Sequence, residues 1–210
     1  MPSIISHKKR FVFVHVPKSG GTSVVQALGR YEDRAWQKWL WRRAFPRLLT
    51  PAWRRRFRRE FNLTHMRAAE LKRLVADYEQ LYRFGFVRNP WDRHVSLYEY
   101  GRQTPARLVY EQRKRQTFDE YLAELRESPT GRQASWFYDD TGTLLVDFVG
   151  RFETLKEDFR RACDAIGVEA ELPHLNPSRR RDYRTYYSDE ARELVARIDR
   201  RDIELFGYTF

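Results

Sequence analysis

From Phe11 to Val16 the chain is almost continuously apolar, and the run stops abruptly at Pro17-Lys18-Ser19-Gly20-Gly21-Thr22-Ser23, where small and polar residues replace bulky ones. An unbroken run, rather than an alternating one, predicts a parallel-sheet strand covered on both faces. Gly20-Gly21 predicts a turn with close backbone approach to a ligand, and a helix is expected from about Thr22 through Leu28. The same order recurs downstream. Leu81 to Val87 predicts a second strand, Asn89 an N-cap and Pro90 the first residue of another helix. Ala68 to Tyr78 reads as a helix before that strand. Leu144 to Val149 reads as a further strand, followed by a helix from about Thr154 to Ile166 with Leu155, Phe159, Ala162, Cys163 and Ile166 in one stripe. Ser188 caps the expected last helix, with Leu194, Ile198 and Leu205 on its inner side. Strands alternating with helices imply parallel βαβ units, hence an α/β fold with a central mainly parallel sheet in a three-layer α/β/α arrangement. Ser6-His7-Lys8-Lys9-Arg10 leads directly into the first strand and reads as a frayed basic terminus.

Both strand ends carry charge suited to anions. At the first, the free N-H groups and positive end of the following helix, the hydroxyls of Ser19, Thr22 and Ser23 and the Lys18 ammonium would converge on one anionic group. The order differs from the familiar phosphate loop, in which the lysine follows the second glycine. The plainer alternative is an ordinary strand-to-helix turn. At the second, Arg88 lies at the carboxyl end of a strand, where open α/β sheets bind ligands, and its planar fork suits two oxygens of a phosphate. Ser96 follows about two helical turns later and reaches the same anion only if the helix runs back beside it. Taken singly, Arg88 in a structural ion pair and Ser96 as an ordinary helix residue explain the sequence as well.

Taken together, Pro17-Lys18-Ser19-Gly20-Gly21-Thr22-Ser23 and Arg88-Asn89-Pro90-Trp91-Asp92-Arg93-His94-Val95-Ser96 resemble the two cofactor loops of sulfotransferases that use 3′-phosphoadenosine 5′-phosphosulfate (PAPS), in their carbohydrate-sulfotransferase branch. Phe148 to Leu155, Leu172 to Ser178 and Asp202 to Tyr208 are similar to that family as well. The resemblance implies a P-loop-NTPase-like fold, the 5′-phosphosulfate on the first loop and the 3′-phosphate on Arg88 and Ser96. It further implies a loop at Asn176, Ser178 and Arg179 that closes near the 3′-phosphate, with 3′-phosphoadenosine 5′-phosphate (PAP) as product. The animal members resembled carry a membrane anchor; no such segment is visible here, so a bacterial-type, cytoplasmic setting is expected.

Composition agrees with one enzyme domain over residues 1–210: 41% hydrophobic and 15% aromatic residues supply a single core. Cys163 is the lone cysteine, so a disulfide within the chain and a cysteine zinc site are excluded. No apolar stretch has the length of a membrane span. The net charge of +11 exceeds what a nucleotide needs. Much of it lies in a basic aromatic insert at about residues 31–62, where Trp36, Trp39, Trp41 and Trp53 interleave with arginines. Aromatic faces stack on sugars or bases and guanidinium groups pair with anions. Recognition of an acidic glycan acceptor, peripheral membrane contact, a nucleic-acid patch, and two amphipathic helices with solvated arginines all fit that pattern.

Sulfuryl transfer needs in-line attack by an acceptor hydroxyl, removal of its proton and stabilisation of charge on the departing phosphate oxygen. Lys18 takes the last role, with Thr22 and the loop N-H groups on neighbouring oxygens. The transferred group is less charged than a phosphoryl group, so no metal is expected. Of five histidines, His65 occupies a position similar to the family's histidine base, and His174 is the other candidate. His94 needs only packing or a hydrogen bond. Two competing functions remain at this level. An ATP-dependent, P-loop-like kinase of a small alcohol would require Mg²⁺ and leaves Arg88 and Ser96 unexplained. A basic nucleic-acid-binding protein would show steep salt dependence and no preference for a 3′-phosphate.

Overall fold

The computed structural model of the chain describes residues 3–33, 65–103, 110–125, 132–173 and 181–210. They fall into two compact units, one comprising Met1–Phe86 with Trp136–Leu175 and the other Val87–Ser135 with Asn176–Phe210. The basic aromatic insert lies almost wholly outside the described residues, as do Asn176, Ser178, Arg179 and His174.

The first unit is built on a sheet in the order β1 (Ile4–Ser6), β2 (Phe11–Val14), β3 (Tyr82–Val87) and β4 (Phe148–Arg151). β2 and β3 pair in parallel, with Phe13 opposite Phe84 and Val14 opposite Gly85. Every residue of β2 is buried, as the unbroken apolar run requires. Phe11, Phe13, Phe84 and Phe86 join Val24 and Leu28 of helix α1 (Gly21–Leu28) in one core with Phe159, Ala162, Cys163 and Ile166 of a later helix (Leu155–Ile166). Across the sheet, Gly85 is obligatory, because a Cβ there would lie 2.5 Å from the Phe137 ring and 2.7 Å from the Val14 carbonyl oxygen.

The N-terminal segment is not frayed. Ile4–Ser6 forms an antiparallel strand with Ile4 opposite Phe13, and His7 contacts Asp33 at 2.5 Å and Asp77 at 3.2 Å. Three apolar-to-small residues before a lysine-rich turn are too few to show a period, which is why this strand escaped the pattern. The helix expected over Ala68 to Tyr78 is shorter: α2 (Ala68–Leu74) ends before a separate 3₁₀ turn at Tyr78–Gln80. The expected strand at Leu144 begins later, at Phe148, and Leu144 makes only an isolated antiparallel bridge with Tyr138.

The second unit is helical: α3 (Pro90–Gln103), α4 (Tyr110–Arg115) and α5 (Phe118–Leu125), followed, after α6 (Leu155–Ile166) of the first unit, by α7 (Asp189–Ile198) and α8 (Arg200–Phe206). Ser188 caps α7, its Oγ accepting from the Ala191 N-H at 3.1 Å. The expected single last helix breaks at Asp199, and Leu205 is 45% exposed rather than inward. The buried positions are instead Ala191, Val195, Asp199 and Asp202. Among the described residues no helix is long and apolar enough to cross a membrane.

Candidate active site

The loop between β2 and α1 adopts a conformation that an ordinary turn does not need. Lys18 has φ 67° and Gly20 φ 81°, while Ser19 between them is not left-handed. Such alternation turns successive N-H groups toward one concave side, the arrangement that binds anions, and it stands here at the first turn of a helix. Left-handed backbone is ordinary for Gly20 but costs a lysine about 1–2 kcal/mol. Strain of this kind persists where surrounding structure enforces it. Buried Ser19 supplies part of that enforcement, donating from Oγ to the Val16 carbonyl oxygen at 2.8 Å. Lys18 is partly buried and Thr22 exposed.

At both glycines the protein itself comes close. A Cβ at Gly20 would lie 2.6 Å from Leu155, and one at Gly21 would lie 2.1 Å from the ring of His15. His15 is buried, stacked on Phe13 with ring centroids 5.8 Å apart. Its ring meets that of His65 edge-on at 4.5 Å. The His15 main-chain oxygen is 3.1 Å from His65 Nδ1. A carbonyl only accepts, so Nδ1 carries the proton, and in the neutral ring Nε2 carries the lone pair. The first unit thus brings together the Lys18 loop, His15 and His65 through contacts of a few residues.

The second loop follows the reading of its sequence closely. Asn89 accepts through Oδ1 from the N-H of Trp91 at 3.1 Å and of Asp92 at 3.4 Å, and Pro90 opens α3. Asn89 also donates to the Thr209 carbonyl oxygen at 2.8 Å. Arg88 is buried, and its Nε lies 2.6 Å from Asp92 Oδ2. Asp92 and Ser96 are one turn apart on α3 and therefore share a face. Ser96 is 9% exposed and its hydroxyl has no hydrogen-bond partner among the described residues.

Sequence reasoning missed the groups that hold Arg88. Gln133, fully buried, accepts from the Arg88 N-H at 2.8 Å and donates to the Arg88 carbonyl oxygen at 2.7 Å. Asp202, equally buried, accepts from the N-H groups of Gln133 at 2.6 Å and Ala134 at 2.8 Å. Burial pushes the Asp202 carboxyl above the usual carboxylate range against the pull of those N-H groups. Next on α3, Arg93 is buried among charges, desolvation lowering its pKa while Asp199 and Asp202 oppose the shift. His94 contacts Asp199 at 2.6 Å, the hydrogen bond that its sequence context asked for. The prior signal for Asp202 was its place in the family-like stretch Asp202 to Tyr208; Asp199 carried none.

The Sulfotransferase family model matches residues 1–209. The chain belongs to that family. As a sulfotransferase it is an enzyme that moves a sulfuryl group, and its mixed α/β fold is that of known members. Mouse sulfotransferase SULT7A1, solved in complex with PAP, is similar in structure with a TM-score of 0.52 at 17% identity, covering 98% of this chain and 91% of the other. A sulfotransferase from Alicyclobacillus acidocaldarius gives a TM-score of 0.47 at 19% identity, covering 96% of each chain. No curated protein matches. Within this sulfotransferase the lysine loop and the arginine loop both stand directly after strands, where ligands of open α/β sheets collect. Among the described residues no His, Cys, Asp and Glu side chains group as a metal site would require.

Proposed function

We propose that this sulfotransferase takes its sulfuryl group from PAPS and passes it to a hydroxyl of a carbohydrate or glycoconjugate, releasing PAP. The observation that carries the reading is the alternating backbone at Lys18, Ser19 and Gly20 ahead of α1, a strained conformation of the kind that suits an anion, in a loop that carries a lysine. The presence of PAP in the mouse SULT7A1 structure supports the choice of donor.

In this mechanism Lys18 and the loop N-H groups, that of Ser19 among them, face the 5′-phosphosulfate with Thr22 and Ser23 beside them. His65 Nε2 takes the acceptor proton as the acceptor oxygen bonds to sulfur. The bridging S–O bond breaks, its electron pair goes to the 5′-phosphate oxygen, and Lys18 stabilises that charge. Arg88 and Ser96 hold the 3′-phosphate. Asn176, Ser178 and Arg179 belong to the closing loop. The fixed tautomer of His65 supports its role as base, and the unpartnered hydroxyl of Ser96 on the Asp92 face supports its role on an anion. A carbohydrate acceptor, acidic in character, fits the net charge of +11 and the tryptophan-arginine insert. One domain over residues 1–210, acting in the cytoplasm, completes the proposal.

Calorimetric titration with PAP, ATP and AMP tests it. Tight binding of PAP alone, lost in Arg88→Ala, is the expected result. Equal or tighter binding of ATP overturns the donor assignment and favours a kinase, and an acceptor screen in which only neutral, non-carbohydrate hydroxyls turn over overturns the acceptor.

A further inference from the structure

We infer that Gln133, braced by Asp202, is the positioning residue that makes Arg88 a rigid reader of the 3′-phosphate; the inference rests on the proposal that Arg88 holds that phosphate. Arg88 lies one residue beyond the end of β3, where the sheet ladder no longer serves its main chain. Its N-H and carbonyl oxygen are taken instead by the two ends of one side-chain amide, at 2.8 and 2.7 Å. The Gln133 side chain therefore acts as one residue of a neighbouring strand and fixes the Arg88 Cα. An amide does this at any pH, since it offers a donor and an acceptor on one planar group, whereas a carboxyl does so only when protonated.

Gln133 is itself anchored. Its N-H and that of Ala134 open a short 3₁₀ turn onto both carboxylate oxygens of Asp202, at 2.6 and 2.8 Å. All of Gln133 and Asp202 is out of solvent. At its other end the Arg88 guanidinium meets Asp92 through Nε at 2.6 Å. A flexible side chain pinned at its Cα and at Nε has few rotamers left, so the ordering that binding demands is already done. Among the described residues, the polar contacts of this buried amide are to one arginine's main chain. The consequence is specificity: the chain Asp202, Gln133, Arg88 acts on the group that distinguishes PAP from AMP.

The test is titration of PAP and AMP into the wild type, Gln133→Leu, Gln133→Glu and Arg88→Ala, with thermal melts to establish folding. Gln133→Leu should weaken PAP about tenfold while changing AMP less than twofold, and should raise the KM for PAPS with kcat at saturating donor unchanged. Gln133→Glu should behave likewise at pH 8 and regain part of its PAP preference, relative to wild type, at pH 5.5, because a protonated carboxyl donates again to the Arg88 oxygen. Equal losses for PAP and AMP, or an unchanged preference in a folded Gln133 variant, overturn the inference. If Gln133→Leu does not fold, the near-isosteric Gln133→Glu decides by the same ratio. An Arg88→Ala variant that keeps the PAP preference overturns the assignment of the 3′-phosphate to Arg88 instead, so the two failures are separable.

Discussion

The Nδ1 of His65 donates to the main-chain oxygen of His15 across 3.1 Å, so the orientation of the proposed base is set by the backbone at the end of β2. Because that oxygen belongs to the main chain, no substitution at residue 15 removes it. The residue that matters is His65 itself. His65→Ala should abolish turnover and leave PAP affinity within about twofold, as expected of a group that acts on the acceptor proton alone. Single-turnover kinetics beside calorimetry separates the two, and unchanged turnover would move the base elsewhere.

Lys18 offers a sharper contrast. Glycine takes a φ of 67° without strain, so Lys18→Gly should leave the melting temperature equal to or above that of the wild type. Turnover should fall by about 10²–10³, the usual loss on removing a preorganised donor. A variant that loses activity and stability together would show that Lys18 serves the fold and not the chemistry.

Gly21→Ala should be damaging out of proportion to one methyl group. The new Cβ would sit 2.1 Å from His15, which is buried between Phe13 and His65 and has nowhere to move. A destabilisation of about 1–3 kcal/mol is expected from overpacking, together with loss of turnover as His65 is displaced. Gly142→Ala is a control, since no atom lies within 4 Å of a Cβ there. Its φ of 86° still strains an alanine, so a modest loss of stability with full activity is the expected result.

Cys163 reports on the first unit's core. Burial pushes its thiol up to about 11, so the folded protein disfavours the thiolate. The sign follows: the folded pKa is the higher one, so this contribution is intact below the unfolded thiol's range and lost as pH rises toward 11. The loss is about 2–3 kcal/mol by the usual linkage. Native protein at pH 8 should react with an aromatic disulfide reagent far more slowly than urea-unfolded protein. Cys163→Ala should flatten the decline of the urea midpoint between pH 8.5 and 11. Tyr121, pushed up to about 12 by burial, contributes to the decline that remains, as do Tyr78 and Tyr187, whose phenols burial raises further.

The parts of the molecule legible in its sequence are those where one local signal sufficed. The Asn89-Pro90 helix start, the Ser188 cap and the α6 stripe emerged where pattern placed them, and the run Phe11 to Val16 gave a strand two residues shorter, Phe11–Val14. Errors arose where a distant partner overrode the pattern. Leu205 reads as inward by periodicity, but the helix breaks at Asp199 to aim carboxylates at His94 and at the Gln133 turn. His7 reads as solvated, yet Asp33 and Asp77 hold it. Gln133 carried no signal at all, because a single amide binding a backbone far away in sequence leaves no period or motif. The residue types of both loops could be read directly; the device that aims Arg88 could not.

The Asn89 side chain that starts α3 donates to the carbonyl of Thr209, and Trp91 beside it packs against Phe210 at 5.6 Å. Gly20 likewise rests on Leu155, far downstream of its own helix. On a ribosome, both loops are therefore translated long before the residues that seat them. The arginine loop in particular is made 120 residues ahead of its Thr209 partner, so a nascent chain holds the strand that carries this loop well before the contact that seats it.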